Sequence, residues 1–423
     1  MLKIINTIKG LFNFNTNINE DQQNLITQTS YVEITSNKSK PKFNLRKNSL
    51  IKLFLILPHP FVKTKILFIS NNKIKKASNV VINTIHFENP VNLYKEFDTD
   101  HSDDIWCVTY SPNGELIASG SIDTSIHLYG GNPYRAKTFG IVINKLNYHN
   151  GYVSSLAFDK TGDYLASGSE DRVIYIFNIK HINKPEIFSE IKIHSDSVFS
   201  LEFSPCNNYL ASASLDCTAK IFSFNKDDKN TSGNIIVNLS GHSNWITSLS
   251  WSPCRNYIAT AGADAKALVY LINTDNHYKN LYGKIILVLL GHNNIIRNLI
   301  FSSCGDYLLT AGYDNFIIVY NVNICKENYG KIYCKLGENI SIPVCCIASN
   351  PNINSKDFAF CCKNGIFGSF SLKYNINNNL HADNGFKLTT KRFHKKWMSS
   401  ICYSPCGNIL VTSCSDSKLQ IYI

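Results

Sequence analysis

The chain has 423 residues, 44% of them hydrophobic and 17% charged, with 22 Gly and 12 Pro. This composition can bury a large core and excludes a disordered, collagen-like or low-complexity protein; no run reaches the ~18–20 apolar residues of a membrane-spanning helix, so an integral membrane protein is not expected. The net charge of +11 is uneven: residues 1–98 hold 14 Lys and Arg against 6 Asp and Glu, while the remainder is nearly neutral.

In chain order, MLKIINTIKGLFNF places Ile4, Ile5, Ile8, Leu11 and Phe12 at helical spacing with Lys3 and Lys9 opposite, which predicts a short amphipathic helix over 1–14. Membrane contact, an organelle address, docking on the body and disorder all remain open for it. Residues 15–49, rich in Asn, Gln, Ser, Thr and Lys, read as a linker. Lys38, Lys40, Lys42, Arg46, Lys47 and Lys52 form a basic cluster, and phosphorylation of Ser39 or Ser49 would cancel part of its charge. Residues 50–70 and 78–87 read as additional short strands or apolar docking segments. LIKLFLIL is expected to be covered, because such a run aggregates when exposed. The stretch 1–90 is thus a basic extension open to an anionic partner (nucleic acid, lipid or acidic protein), or a merely solvated lysine-rich tail. MLKIINTIKG lacks a secretory apolar core, and 14 cysteines point to a reducing compartment; an intracellular protein, cytoplasmic or nuclear, is expected.

From residue 91 onward the chain repeats. His101, His149, His194, His242, His292 and His394 are each followed 22 residues later by Asp123, Asp171, Asp216, Asp264, Asp314 and Asp416. The histidines are 48, 45, 48, 50 and 102 residues apart; the last gap is double and implies one degenerate repeat, at about 338–372. Nine residues after each histidine stands Tyr110, Phe158, Phe203, Trp251, Phe301 or Tyr403, followed by a turn such as SPNGELIASGSID and then a short apolar strand such as IHLY or IIVY. Apolar stretches cut by Ser-Pro and Asn/Gly turns predict short antiparallel strands, four to each period of ~45 residues, which is one propeller blade.

SGHSNWITSLSWSPCRNYIATAGADAKALVYL and LGHNNIIRNLIFSSCGDYLLTAGYDNFIIVYN resemble the WD-repeat (β-transducin-like) propellers, and the resemblance covers roughly 91–423. It implies an all-β, seven-bladed propeller in which the chain supplies three strands of the last blade and VNLYKEF, just before His101, closes the ring. The terminal Trp-Asp pair is absent; Tyr129-Gly130, Phe177-Asn178 and Tyr320-Asn321 stand in its place. The resemblance further implies that the six His/Asp pairs are structural, and that residues at the start of each first strand, with those preceding each aspartate, share one rim. Those positions hold Asp104, Trp106, Tyr152, Phe199, Trp245, Ile295, Arg297 and Trp397, and Ile122, Glu170, Leu215, Ala263, Tyr313 and Ser415. An aromatic-rich rim with an arginine has the composition of a binding hot spot.

No GxxxxGK[ST], GxGxxG, GxSxG or HExxH stretch occurs, and six copies of a His/Asp pair do not converge on one reaction centre, so no enzyme and no cofactor are expected. Cys345-Cys346 and Cys361-Cys362 lack zinc-ligand spacing and read as buried small hydrophobes, so no metal is expected either. The expected function is a non-catalytic scaffold, a monomer within a larger intracellular complex, with a protein or peptide on the rim. The alternatives are an RNA- or ribonucleoprotein-associated propeller using the basic arm, or a ubiquitin-ligase substrate adaptor, although Phe177-Asn178-Ile179-Lys180 replaces the defining residues of a W-D-x-R box.

Overall fold

The second strand of a repeat, such as YLASGS or YLASAS, lacks polar alternation and is buried along its whole length in five blades and past its first residue in the other two. That is what a strand packed on both faces requires. The fourth strands, such as EIFSEI, alternate between exposed and buried positions, as an edge strand half in water does. In a computed structural model these segments form seven four-stranded antiparallel sheets. The structure describes residues 93–422 except 136, 230–231, 273–282, 338–341, 354, 373–388, 393 and 395, together with 31–33, 51–56 and 66–69.

The blades span 105–146, 153–191, 198–239, 246–289, 296–336 and 344–392, and the seventh joins 398–422 to Leu93–Asp98. First strands touch first strands around the ring, and Met398–Tyr403 returns to Ile105–Tyr110, so these strands line the central channel. Closure is antiparallel, with Lys418 opposite Asp98, Leu419 opposite Phe97 and Gln420 opposite Glu96; the described part of VNLYKEF, from Leu93 on, holds the closing place expected of it. The apolar core lies between blades: Phe97, Ile105, Tyr110, Val411, Leu419 and Ile421 fill the layer joining the last blade to the first. The degenerate sixth blade is complete, its fourth strand being Thr389–Arg392.

The chain divides into two compact units, Met1–Ile85 and His86–Ile423. In the first, Ile51–Ile56 pairs antiparallel with Tyr31–Glu33, inside the stretch read as linker, and with Ile66–Ile69. The amphipathic helix read over 1–14, the segment 78–87 and the basic cluster apart from Lys52 lie outside the described residues. Among the described residues no helix is long and apolar enough to cross a membrane.

Candidate interaction face at the channel mouth

Six of the seven blades are pinned at the rim by a histidine. The His Nδ1–H donates to the aspartate 22 residues later, at 2.7–3.0 Å in blades one to five and 3.4 Å in blade seven. Nε2 then accepts a hydroxyl proton from Ser119, Ser167, Ser212, Thr260, Thr310 or Thr412 at 2.6–2.9 Å. The aspartates also accept backbone N–H bonds from two residues downstream, as Asp123 does from Ser125. This Asx turn holds the intervening residue in left-handed geometry, at φ 59–70° for Thr124, Arg172, Cys217, Ala265, Asn315 and Ser417. Burial alone would raise the Asp123 carboxyl; the His101 and Ser125 bonds outweigh it and hold the group well below the carboxylate range. Tyr129 reaches the relay too, its hydroxyl 3.0 Å from Ser119, so a phenol occupies the place of the missing Trp.

The rim positions come together through one backbone bond repeated around the ring. The carbonyl of Asp104, Tyr152, Ser197, Trp245, Ile295, Pro343 or Trp397 accepts the N–H of Ile122, Glu170, Leu215, Ala263, Tyr313, Lys363 or Ser415 at 2.8–3.1 Å. This bond places Lys363 on the rim. The sixth blade has no His/Asp pair to mark it, and Asn364 there bonds the Ile366 N–H while Gly365 takes the positive φ of 81°.

Trp106, Phe199 and Arg297 belong to a different set. In every first strand the register slips by one residue, and the bulged residues are Trp106, Ser154, Phe199, Thr247, Arg297, Cys345 and Ser399. A bulge re-aims its side chain, and this ring of seven turns toward the channel. The small members tie neighbouring blades: Ser154 reaches the Val198 carbonyl, Thr247 that of Ile296 and Ser399 that of Ile105. The large ones meet in the mouth. Trp106 lies 5.5 Å from Tyr152, 6.4 Å from Phe199 and 5.9 Å from Trp397, ring centre to ring centre. The Arg297 guanidinium sits 5.4 Å from the Trp106 ring and 5.3 Å from that of Phe199. Lys363 lies 4.8 Å from Trp397 and 5.9 Å from Tyr313. These are cation–π distances. Trp397 donates its indole N–H to Cys345 Sγ at 3.1 Å, and the buried Trp106 Nε1 has no partner. Trp245 stands outside this stacked group, 49% exposed, and Ile295 of the next blade and Asp104 of blade one are half-buried rim residues.

Burial is the main cause of the shifts here. It raises the Tyr313 and Tyr152 phenols, the latter helped by the Glu170 charge, and it lifts the Cys345 thiol to about 11. Glu202, deeper in the channel wall, accepts the Trp251 N–H at 2.8 Å, and burial raises its carboxyl as well. Trp251 itself is a core residue, 4% exposed. The fourteen cysteines are free, and Cys346 pairs across the strands with Cys361. His394, Cys414 and Asp416 have donor atoms within 4.8 Å of one another, types that zinc accepts. Both nitrogens of His394 already serve the blade's own relay, so a metal would compete with it.

A family model described as "WD domain, G-beta repeat" matches residues 92–130, 140–178, 186–223, 233–270, 283–321 and 385–422. Among curated relatives, the chain is 39% identical over 74 residues to a periodic tryptophan protein 2 homolog of Neurospora crassa, covering 17% of this chain and 8% of that one. It is 30% identical over 78 residues to one of the subunits of chromatin assembly factor 1 of Mus musculus, covering 18% and 13%. It is 26% identical over 90 residues to protein HIR1 of Cryptococcus neoformans, covering 21% and 10%. The matched part is therefore a small fraction of each relative's length.

Proposed function

We propose, from the premise that this chain belongs to the WD domain (G-beta repeat) family, that its propeller is a non-catalytic interaction scaffold holding a protein or peptide on the aromatic rim. The observation that carries this is the mouth itself, where Trp106, Tyr152, Phe199 and Trp397 are gathered at centroid separations of 5.5–6.4 Å and remain half-buried, with Trp245 49% exposed nearby. Large aromatic surface left in water at one spot is what a binding anchor offers. The His and Asp side chains are committed to the relays of six blades, so the reading is of contact rather than chemistry. One relative is by name a subunit of a chromatin assembly factor, which supports a monomer working inside a larger cytoplasmic or nuclear complex. The basic stretch 1–90 would serve a separate anionic partner.

Affinity capture from native extract tests this, comparing wild type with Trp245→Ala/Trp397→Ala after both melts are matched. Each anchor is worth about 2 kcal/mol or more when truncated, so the double variant should lose the partner. Undiminished capture by the folded variant would remove the rim from the reading and leave the segment 1–90.

A further inference from the structure

Resting on that reading, we propose that the rim selects an acidic peptide segment carrying an aromatic or large aliphatic side chain, with its carboxylates over blades five to seven. The charges around the mouth are sorted by blade. Arg297, Lys363 and Lys396 come from blades five, six and seven; Asp103, Asp104, Glu170 and Asp196 come from blades one to three, where Arg172 is the exception. Blade four contributes Trp245 between the two arcs, and its loop also carries Lys266.

Arg297 and Lys363 differ from the ion-paired cations of the molecule in their surroundings, a feature that Lys95 and Lys335 share away from the mouth. Arg135, Lys145, Lys184, Lys192, Lys226, Lys326 and Lys418 each sit within 4.0 Å of a carboxylate. Arg297 and Lys363 instead rest on aromatic rings, and among the described residues no salt bridge engages them. A cationic ligand entering this aromatic group would meet like charge, because Arg297 already covers the faces of Trp106 and Phe199. A carboxylate would find two unneutralised donors over apolar surface, where charge-assisted bonds are strong. The acidic arc then limits the length of the anion: a polyphosphate crossing the mouth would run onto Asp103, Asp104, Glu170 and Asp196, whereas a short peptide can stay on the basic half. Opposed arcs also fix the direction in which the peptide lies.

Panning a random dodecapeptide phage library against the full chain tests the proposal, with the enriched peptides then titrated by fluorescence anisotropy. Expected are sequences with Asp or Glu beside Trp, Phe or Leu, bound at least tenfold more weakly by Lys363→Glu, an exposed position whose variant should melt like wild type, and by Arg297→Gln. Enrichment of neutral or Lys/Arg-rich peptides that Trp245→Ala/Trp397→Ala fails to bind would overturn the acidic ligand and leave the scaffold standing. Enriched peptides that the double tryptophan variant binds unchanged, or no enrichment, would overturn both. An oligouridylate that binds the mouth, is weakened by Lys363→Glu and outcompetes every acidic peptide would replace the peptide with a nucleic acid.

Discussion

His127 occupies the strand position held by Tyr175, Leu268 and Ile318 in other blades, and it is 2% exposed. Its ring stacks on His101 at 3.7 Å and its Nδ1 has no hydrogen-bond partner. Burial, the charge of His101 and that of Lys145 together push its pKa down to about 4. An unfolded chain takes up this proton near pH 6.5 while the folded one does not, so stability is full above pH 6.5 and drains away as the pH falls to about 4, by up to about 3 kcal/mol. His127→Ile should therefore melt progressively higher than wild type between pH 6.5 and 4.5; a difference that stays constant with pH would refute this. Asp123 acts in the same direction lower down: its depressed carboxyl stabilises above the ordinary carboxylate range and loses that stabilisation as the pH drops further, which leaves the upper window to His127.

The blade as an element was legible because its anchors recur: a His, an aromatic nine residues on and an Asp at 22 together set four strands and one relay, and the structure has the His and Asp side chains bonded in each of the six anchored repeats. The division of the mouth into two rings was not legible. Trp106 and Trp397 look alike as residues near a strand start, yet one is a bulge residue and the other a rim residue, and a bulge adds a register slip that spacing to the anchors does not reveal. Ser154, Thr247 and Ser399 escaped notice for the same reason, as small polar residues in a strand. Lys363 escaped because its blade has lost the His/Asp pair that would have located it. If the bulge hydroxyls tie blades together, Thr247→Val should lower stability by about 1–3 kcal/mol through the unpaired Ile296 carbonyl, and Thr247→Ser should restore it; equal denaturation midpoints for Val and Ser would show the hydroxyl to be idle.

At the scale of the whole molecule the ring is held by one strand from far away in the chain. Leu93–Asp98 is hydrogen-bonded to Lys418–Tyr422, Glu96 accepts bonds from Gln420 and Lys418, and Thr99 donates to the Ser417 carbonyl across 318 residues. Removing 93–98 strips the seventh blade of its fourth strand and bares an edge, so the melting temperature of the whole propeller should fall by many degrees, whereas removing 1–85 should leave the propeller's melt in place. A propeller melt unaltered by the first deletion would show that closure contributes little. The same pairing has a consequence for synthesis. A ribosome adding roughly 5–20 residues each second releases Leu93–Asp98 tens of seconds before its partner exists, so the growing chain carries an unmated strand while all the residues between the two are made. Any product cut short before residue 418 keeps that strand bare, and the cell's chaperones and proteases can tell it from a finished ring by that edge alone.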